Sequence, residues 1–176
     1  MIVRHHQGGI MYRTIDDFVL DWEYESSATM KILRALTDAS LKQKVTPEGR
    51  SLGFLAWHVV LTLSEMGSKM GLQVTAPAED SEPPKVAAEI ASTYDISSKS
   101  VLEAVRSSWT DASLNDEIPM YGEMWKRGGA LSSLLLHQTH HRAQMTVLMR
   151  QAGLKVPGVY GPSREEWTKM GMQPQK

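Results

Sequence analysis

The chain has no cysteine among its 176 residues. A disulfide framework, a thiolate zinc site and a cysteine nucleophile are therefore excluded, and any reactive thiol must arrive with a substrate. It also lacks a charge imbalance, since 19 Lys and Arg stand against 20 Asp and Glu for a formal net charge of −1. With no basic block and no basic–aromatic interleaving, binding to nucleic acid through its phosphates has no support. No apolar run approaches the length of a membrane span. Residues 1–9 carry Arg4, His5, His6 and Gln7 and lack the apolar stretch of a secretory signal. The expectation is a cytoplasmic protein without membrane or nucleic-acid partners. Residues 1–12 are expected to be a poorly ordered tail, so His5 and His6 are left out of any site. Helical patterning begins only after Met11, a candidate natural start.

What is present is helix. A chain of this length with 41% hydrophobic residues fits one domain, residues 1–176, with a core of ordinary size. From Thr14, apolar residues Ile15, Phe18, Val19, Trp22, Met30, Leu33 and Leu36 recur at mostly three- and four-residue steps and predict a helix over Ile15–Thr37, opened by Thr14 and Asp17 as a variant capping box. Trp22 reads as core and Glu25, three residues on, as a solvated carboxylate. Asp38–Arg50, with Pro47 and Gly49, is a connection. Ser51 caps a second helix, Leu52–Met70. Gly71–Pro84 reads as an exposed loop. A third helix starts at Pro83 and Pro84 and runs to Trp109, with an interruption near Asp95–Ser98. Thr110–Gly129 is a polar connection whose Tyr121 and Trp125 either wall a pocket or pack as a lid on the bundle end. The fourth helix, Ala130–Ala152, is closed by Gly153, and the tail Leu154–Gln173 folds back over the bundle. Leu136, Ala143 and Val147 point away from the fourth helix's main apolar stripe, so that helix is either central or covered by another subunit.

Chemistry concentrates in Leu134-Leu-Leu-His137-Gln-Thr-His-His141-Arg142-Ala-Gln144. His137 and His141 are four apart, which on a helix puts both imidazoles on one face, a metal-ligand spacing. The stripe of Leu131, Leu134, Leu135, Met145, Leu148 and Met149 also takes in His141, with His137 at its edge, while Gln138 and Arg142 project into it. Polar groups buried there cost on the order of 1–3 kcal/mol each unless satisfied. An HxxxH pair is weak on its own and leaves a zinc-type site one protein ligand short. His58 supplies the third candidate: it lies at the border of the apolar side of the second helix (Leu52, Leu55, Val59, Leu63, Met66), with Thr62 and Glu65 continuing its line. In a bundle the two faces meet. His140 falls on the opposite side of the wheel. Gln138 stands where an HExxH metalloprotease has its general-base glutamate, which disfavours that chemistry.

These residues, Ser51-Leu-Gly-Phe-Leu-Ala-Trp-His58-Val-Val, then His137-Gln-Thr-His-His141-Arg-Ala-Gln144, then Pro157-Gly-Val-Tyr-Gly-Pro-Ser163, resemble the DinB-like superfamily over nearly the whole chain. The resemblance implies an all-α fold, an up-down-down-up four-helix bundle with one long crossover, commonly a homodimer. It implies a divalent ion, nickel or zinc, held by His58, His137 and His141. It also implies thiol S-transferases and isomerases that use low-molecular-weight thiols, or metal-dependent hydrolases, as relatives. Glu65, Arg142 and Gln144 are candidates to orient or balance the ligands, and no catalytic residue is assigned. The alternatives are a non-catalytic metal-binding stress-response bundle and a metal-free helical interaction module.

Overall fold

The first helix, α1, spans Ile15–Arg34. Thr14 opens it, its Oγ1 accepting the Asp17 N–H at 3.1 Å, one half of the expected box. The computed structural model describes residues 11–174. His5 and His6 lie outside the described residues. Tyr12, expected in a loose tail, is instead buried: its hydroxyl donates to Asp21 at 2.8 Å and its ring meets Phe18 edge-on.

Helix α2 spans Leu52–Lys69 under a Ser51 cap; α3 spans Ala87–Ser108, α4 Arg127–Gln151 and the short α5 Arg164–Lys169. The long 70–86 segment carries the chain from α2 to α3. The start of α3 lies beyond the two prolines, because the Ala87 N–H finds its acceptor in Asp38 Oδ1 at 2.8 Å, across the fold, while Val86 offers no capping side chain. No interruption occurs at Asp95–Ser98; Ser97 and Ser98 face inward there and the Ser98 carbonyl accepts the Trp22 indole N–H at 2.9 Å. In the bundle α1 and α2 each pack against both α3 and α4. This is the expected helical bundle, and its interior is lined by Phe18, Trp22, Ile32, Leu63, Ile90, Tyr94, Leu134 and Met145. None of the helices among the described residues is long and apolar enough to cross a membrane.

The 110–129 connection holds an element the periodicity did not reveal, an antiparallel hairpin of β1 (Glu117–Met120) and β2 (Glu123–Lys126). Its two-residue loop has positive φ at Tyr121 (52°) and Gly122 (85°), the backbone twist that lets two strands close tightly. Without an Asn or Asp before the glycine, the usual sequence signal of that turn is missing. Helix α4 also begins earlier than Ala130, taking Gly128 and Gly129 into its first turn. It ends as expected: Gly153 has φ 75°, and the Gly153 and Leu154 N–H groups return to the Arg150 and Met149 carbonyls at 3.0 and 2.9 Å, closing the last turn.

The two glycines do different things. A Cβ on Gly128 would sit 2.3 Å from the Tyr12 carbonyl oxygen, whereas one on Gly129 would meet nothing within 4 Å. Gly128→Ala is therefore expected to destabilise by about 1–3 kcal/mol through displaced backbone, and Gly129→Ala to stabilise by about 0.5–1 kcal/mol through helix propensity. Urea unfolding of the two variants checks both signs.

Candidate metal centre

Helix α2 brings His58, and α4 brings His137 and His141, to one point between the two helices. His137 Nε2 lies 3.3 Å from His58 Nε2 and 3.1 Å from His141 Nε2. One ring nitrogen from each residue falls within 4.8 Å of the others. The neighbouring residue on α4 orients one ring: Gln144 Oε1 lies 2.8 Å from His141 Nδ1, while the Gln144 amide nitrogen lies 3.0 Å from His140 Nε2. An amide that donates to His140 must present its oxygen to His141. His141 then carries its proton on Nδ1, which leaves the Nε2 lone pair facing the cluster. His140 itself is exposed.

Burial is the first cause that lowers the histidine pKa values, and neighbouring imidazoles and the Arg50 guanidinium add to it: His58 falls to about 4, His137 to about 4, and His141 moves in the same direction despite the opposing hydrogen bond from Gln144. All three are neutral near pH 7, the form that offers lone pairs.

The two buried polar residues Gln138 and Arg142 each bond to a different helix, although Gln138 Oε1 has no hydrogen-bond partner among the described residues. Gln138 Nε2 donates to the Val59 carbonyl at 2.9 Å, with Thr62 Oγ1 at 3.4 Å. On the far side of α4, Arg142 is 2% exposed. It ion-pairs with Glu25, donates to the Glu25 carbonyl at 3.0 Å and Thr29 Oγ1 at 3.1 Å, and touches the Tyr160 hydroxyl. Glu25, expected in solvent, is thus buried, and Tyr160 from the tail donates to its carboxylate at 2.7 Å. The Glu–Arg pair spans 117 residues of sequence, out of reach of any local pattern.

Glu65 takes another role. Its carboxylate accepts the Tyr121 hydroxyl at 2.8 and 3.0 Å and lies 3.7 Å from Lys69 Nζ, so the hairpin tip is fastened to α2. Trp125 stands beside Tyr121 at 5.7 Å between ring centroids. Of Glu65, Arg142 and Gln144, only Gln144 hydrogen-bonds a histidine of the cluster.

With this geometry in place, the sequence model of the DinB family matches residues 11–176. The chain belongs to the DinB family. Protein YrdA of Bacillus subtilis (strain 168), itself uncharacterized, is 46% identical over 166 residues, covering 94% of this chain and 99% of the relative. The crystal structure of a DinB-like protein from Bacillus cereus ATCC 10987 is similar with a TM-score of 0.82 and 43% identity, over 85% of this chain and 100% of the other. A second DinB-like structure, YjoA of Bacillus subtilis, has a TM-score of 0.64 at 14% identity, over 84% and 99% of the two chains, a likeness of fold.

The cluster of this DinB chain is suited to a cation. With the His141 Nε2 unprotonated, His137 Nε2 cannot donate to both of its neighbours at once, so the three nitrogens do not satisfy one another. Ligands at roughly 2.0–2.1 Å from a shared ion would stand about 3.3 Å apart in tetrahedral and about 2.9 Å apart in octahedral coordination. The observed 3.1 and 3.3 Å separations lie in that range.

Because the folded-state pKa values of His58 and His137 lie near 4, below the free value, the unfolded metal-free chain takes up protons that the folded one refuses as pH falls from about 6.5. The corresponding stability is present above that pH and lost towards pH 4. Denaturation of metal-free protein between pH 7 and 4.5 is expected to show this decline, and a His58→Ala, His137→Ala variant a flatter one. Separately, Glu25→Ala leaves Arg142 buried and unpaired and is expected to cost about 3–5 kcal/mol, whereas Glu25→Leu with Arg142→Met should recover most of the loss. Chemical denaturation of the single and double variants measures the difference.

Proposed function

We propose that this DinB-family protein binds one divalent ion, nickel or zinc, through His58, His137 and His141, and that it is a metal-dependent enzyme of the thiol S-transferase or hydrolase type acting on a small molecule. The carrying observation is the convergence of three neutral imidazoles and no fourth donor: among the described residues the group that can hold an ion consists of these three alone. Three protein ligands leave positions for water or substrate, the arrangement that separates a catalytic from a structural site. Bound there, a divalent ion supplies a Lewis-acid position that lowers the pKa of a thiol or water.

The chain's own residues prepare that position. Gln144 holds the His141 ring with its lone pair inward. The Gln138 amide is not basic and donates its N–H to the α2 main chain, so the general-base role of an HExxH glutamate has no counterpart here. The hairpin tip is fixed by Tyr121 to Glu65 on the same helix, α2, that carries His58. With no cysteine in the sequence, a low-molecular-weight thiol as external nucleophile is chemically coherent. The reading includes a homodimer, supported by the exposed Leu136 and Val147 on the outer face of α4.

Elemental mass spectrometry of untagged protein is expected to find about one ion per chain, absent from a His58→Ala, His137→Ala, His141→Ala variant. Gln144→Leu should lower metal affinity by about 10–100-fold with the fold intact. Loss of thiol-dependent activity on metal removal, with helical content retained, supports the enzyme. Unfolding on metal removal with no activity in the loaded protein points to a metal-stabilised bundle, and no metal in the wild type after incubation with nickel and zinc overturns the site.

A further inference from the structure

One cation beside the histidine cluster is engaged neither by packing in the core nor by an acid. Arg50 immediately precedes the Ser51 cap of α2. Its guanidinium carbon lies 5.1 Å from the centroid of the Phe54 ring, and Phe54 in turn stacks on His58 with centroids 6.0 Å apart and planes 12° from parallel. Guanidinium, phenyl and imidazole therefore form one column at positions 50, 54 and 58, leading from solvent to the cluster. Arg50 is exposed, and Phe54 is 42% exposed. Among the described residues Arg50 has no carboxylate partner; the ion pairs of the fold involve other basic residues.

Among the described residues the cluster has no acidic partner either. The hydrogen bonds of the three imidazoles go to each other and to Gln144, and the charged side chain that acts on all three is Arg50. On the metal reading above, on which this inference rests, a divalent ion at the cluster and the exposed guanidinium at the outer end of the column would then have no counter-charge among the described residues. Such a field draws in anions and favours a ligand that brings negative charge. A neutral ligand would leave the guanidinium with nothing to bind but water.

We infer that Arg50 recognises a carboxylate on the small molecule whose donor atom approaches the histidine cluster, with the exposed edge of Phe54 lying along the segment between the two groups. The substrate class is thus an anionic, carboxylate-bearing compound. Arg50 presents a planar fork of N–H donors, a shape matched to a carboxylate.

The test uses the full chain loaded with cobalt(II), whose absorption reports ligands entering its coordination sphere, and two thiol probes that differ in charge, 3-mercaptopropionate and 3-mercapto-1-propanol. Wild type is expected to take up one cobalt per chain and to bind the carboxylate thiol about tenfold more tightly than the alcohol. Arg50→Ala should keep its cobalt and its thermal midpoint yet bind both thiols alike, and Arg50→Lys should keep part of the preference. Equal affinities in the wild type overturn the inference. So does a preference that survives in Arg50→Ala, which would place the carboxylate on the metal, and so does loss of cobalt from Arg50→Ala, which would make the arginine a structural support. A wild type that binds no cobalt overturns the metal reading and this inference together, whereas cobalt bound without charge preference overturns this inference alone.

Discussion

A guanidinium buried in a helical bundle constrains everything around it. Removing Arg142 from water costs several kcal/mol unless its charge and its N–H groups are met, and in this fold they are met by Glu25 and Thr29 of α1 and by Tyr160 of the tail. That requirement sets the rotation of α4. Successive residues on a helix are about 100° apart, so an Arg142 aimed at α1 turns His141 towards α2, where His58 waits. His137, one turn earlier, follows on the same side. The tail is ordered by the same demand, since Tyr160 is the partner it contributes.

Gln138 performs the corresponding task on the other flank. Its amide donates to the Val59 carbonyl, one residue beyond His58, and so sets α4 against α2 at the level of the cluster. The motif His-Gln-x-x-His-Arg consists of two repeats of a cluster histidine followed by an anchor. Each anchor is buried and each pins α4 to a different neighbour. The separation of 3.1–3.3 Å between the imidazole nitrogens is the product of these two anchors as much as of the histidines.

This division explains what the sequence revealed and what it concealed. The four long helices, the Ser51 cap and the Gly153 stop follow from periodicity and from residues within one turn of the feature they control, so local reading finds them. The i, i+4 spacing of His137 and His141 is likewise local, and His58 stood at the edge of an apolar face. Glu25 was misjudged because a lone carboxylate on an amphipathic helix is indistinguishable from a solvated one until its partner, more than a hundred residues away, is placed. The hairpin escaped because its turn is Tyr-Gly and its strands are four residues each, too short for alternation to register. Gly128 looked like loop punctuation, but its missing Cβ admits the Tyr12 backbone against the first turn of α4. The column of Arg50, Phe54 and His58 has i, i+4, i+8 spacing, but Arg50 lies outside the helix, before the Ser51 cap, where periodicity alone does not place a side chain.

The anchors also bear on the chemistry open to this fold. A glutamate at position 138 would complete the sequence of a metalloprotease motif, yet here it would set a carboxylate against the Val59 carbonyl, two acceptors without a proton between them. The glutamine is therefore required by packing before any question of catalysis arises. A general base cannot come from that position, and the nearest α2 carboxylate in line with His58, Glu65, is held by the Tyr121 hydroxyl and Lys69. On the reading proposed above, the absence of a protein base favours a nucleophile that ionises readily near neutral pH. A thiol meets that condition without a protein base, because its ordinary pKa of about 8.5 already lies close to physiological pH.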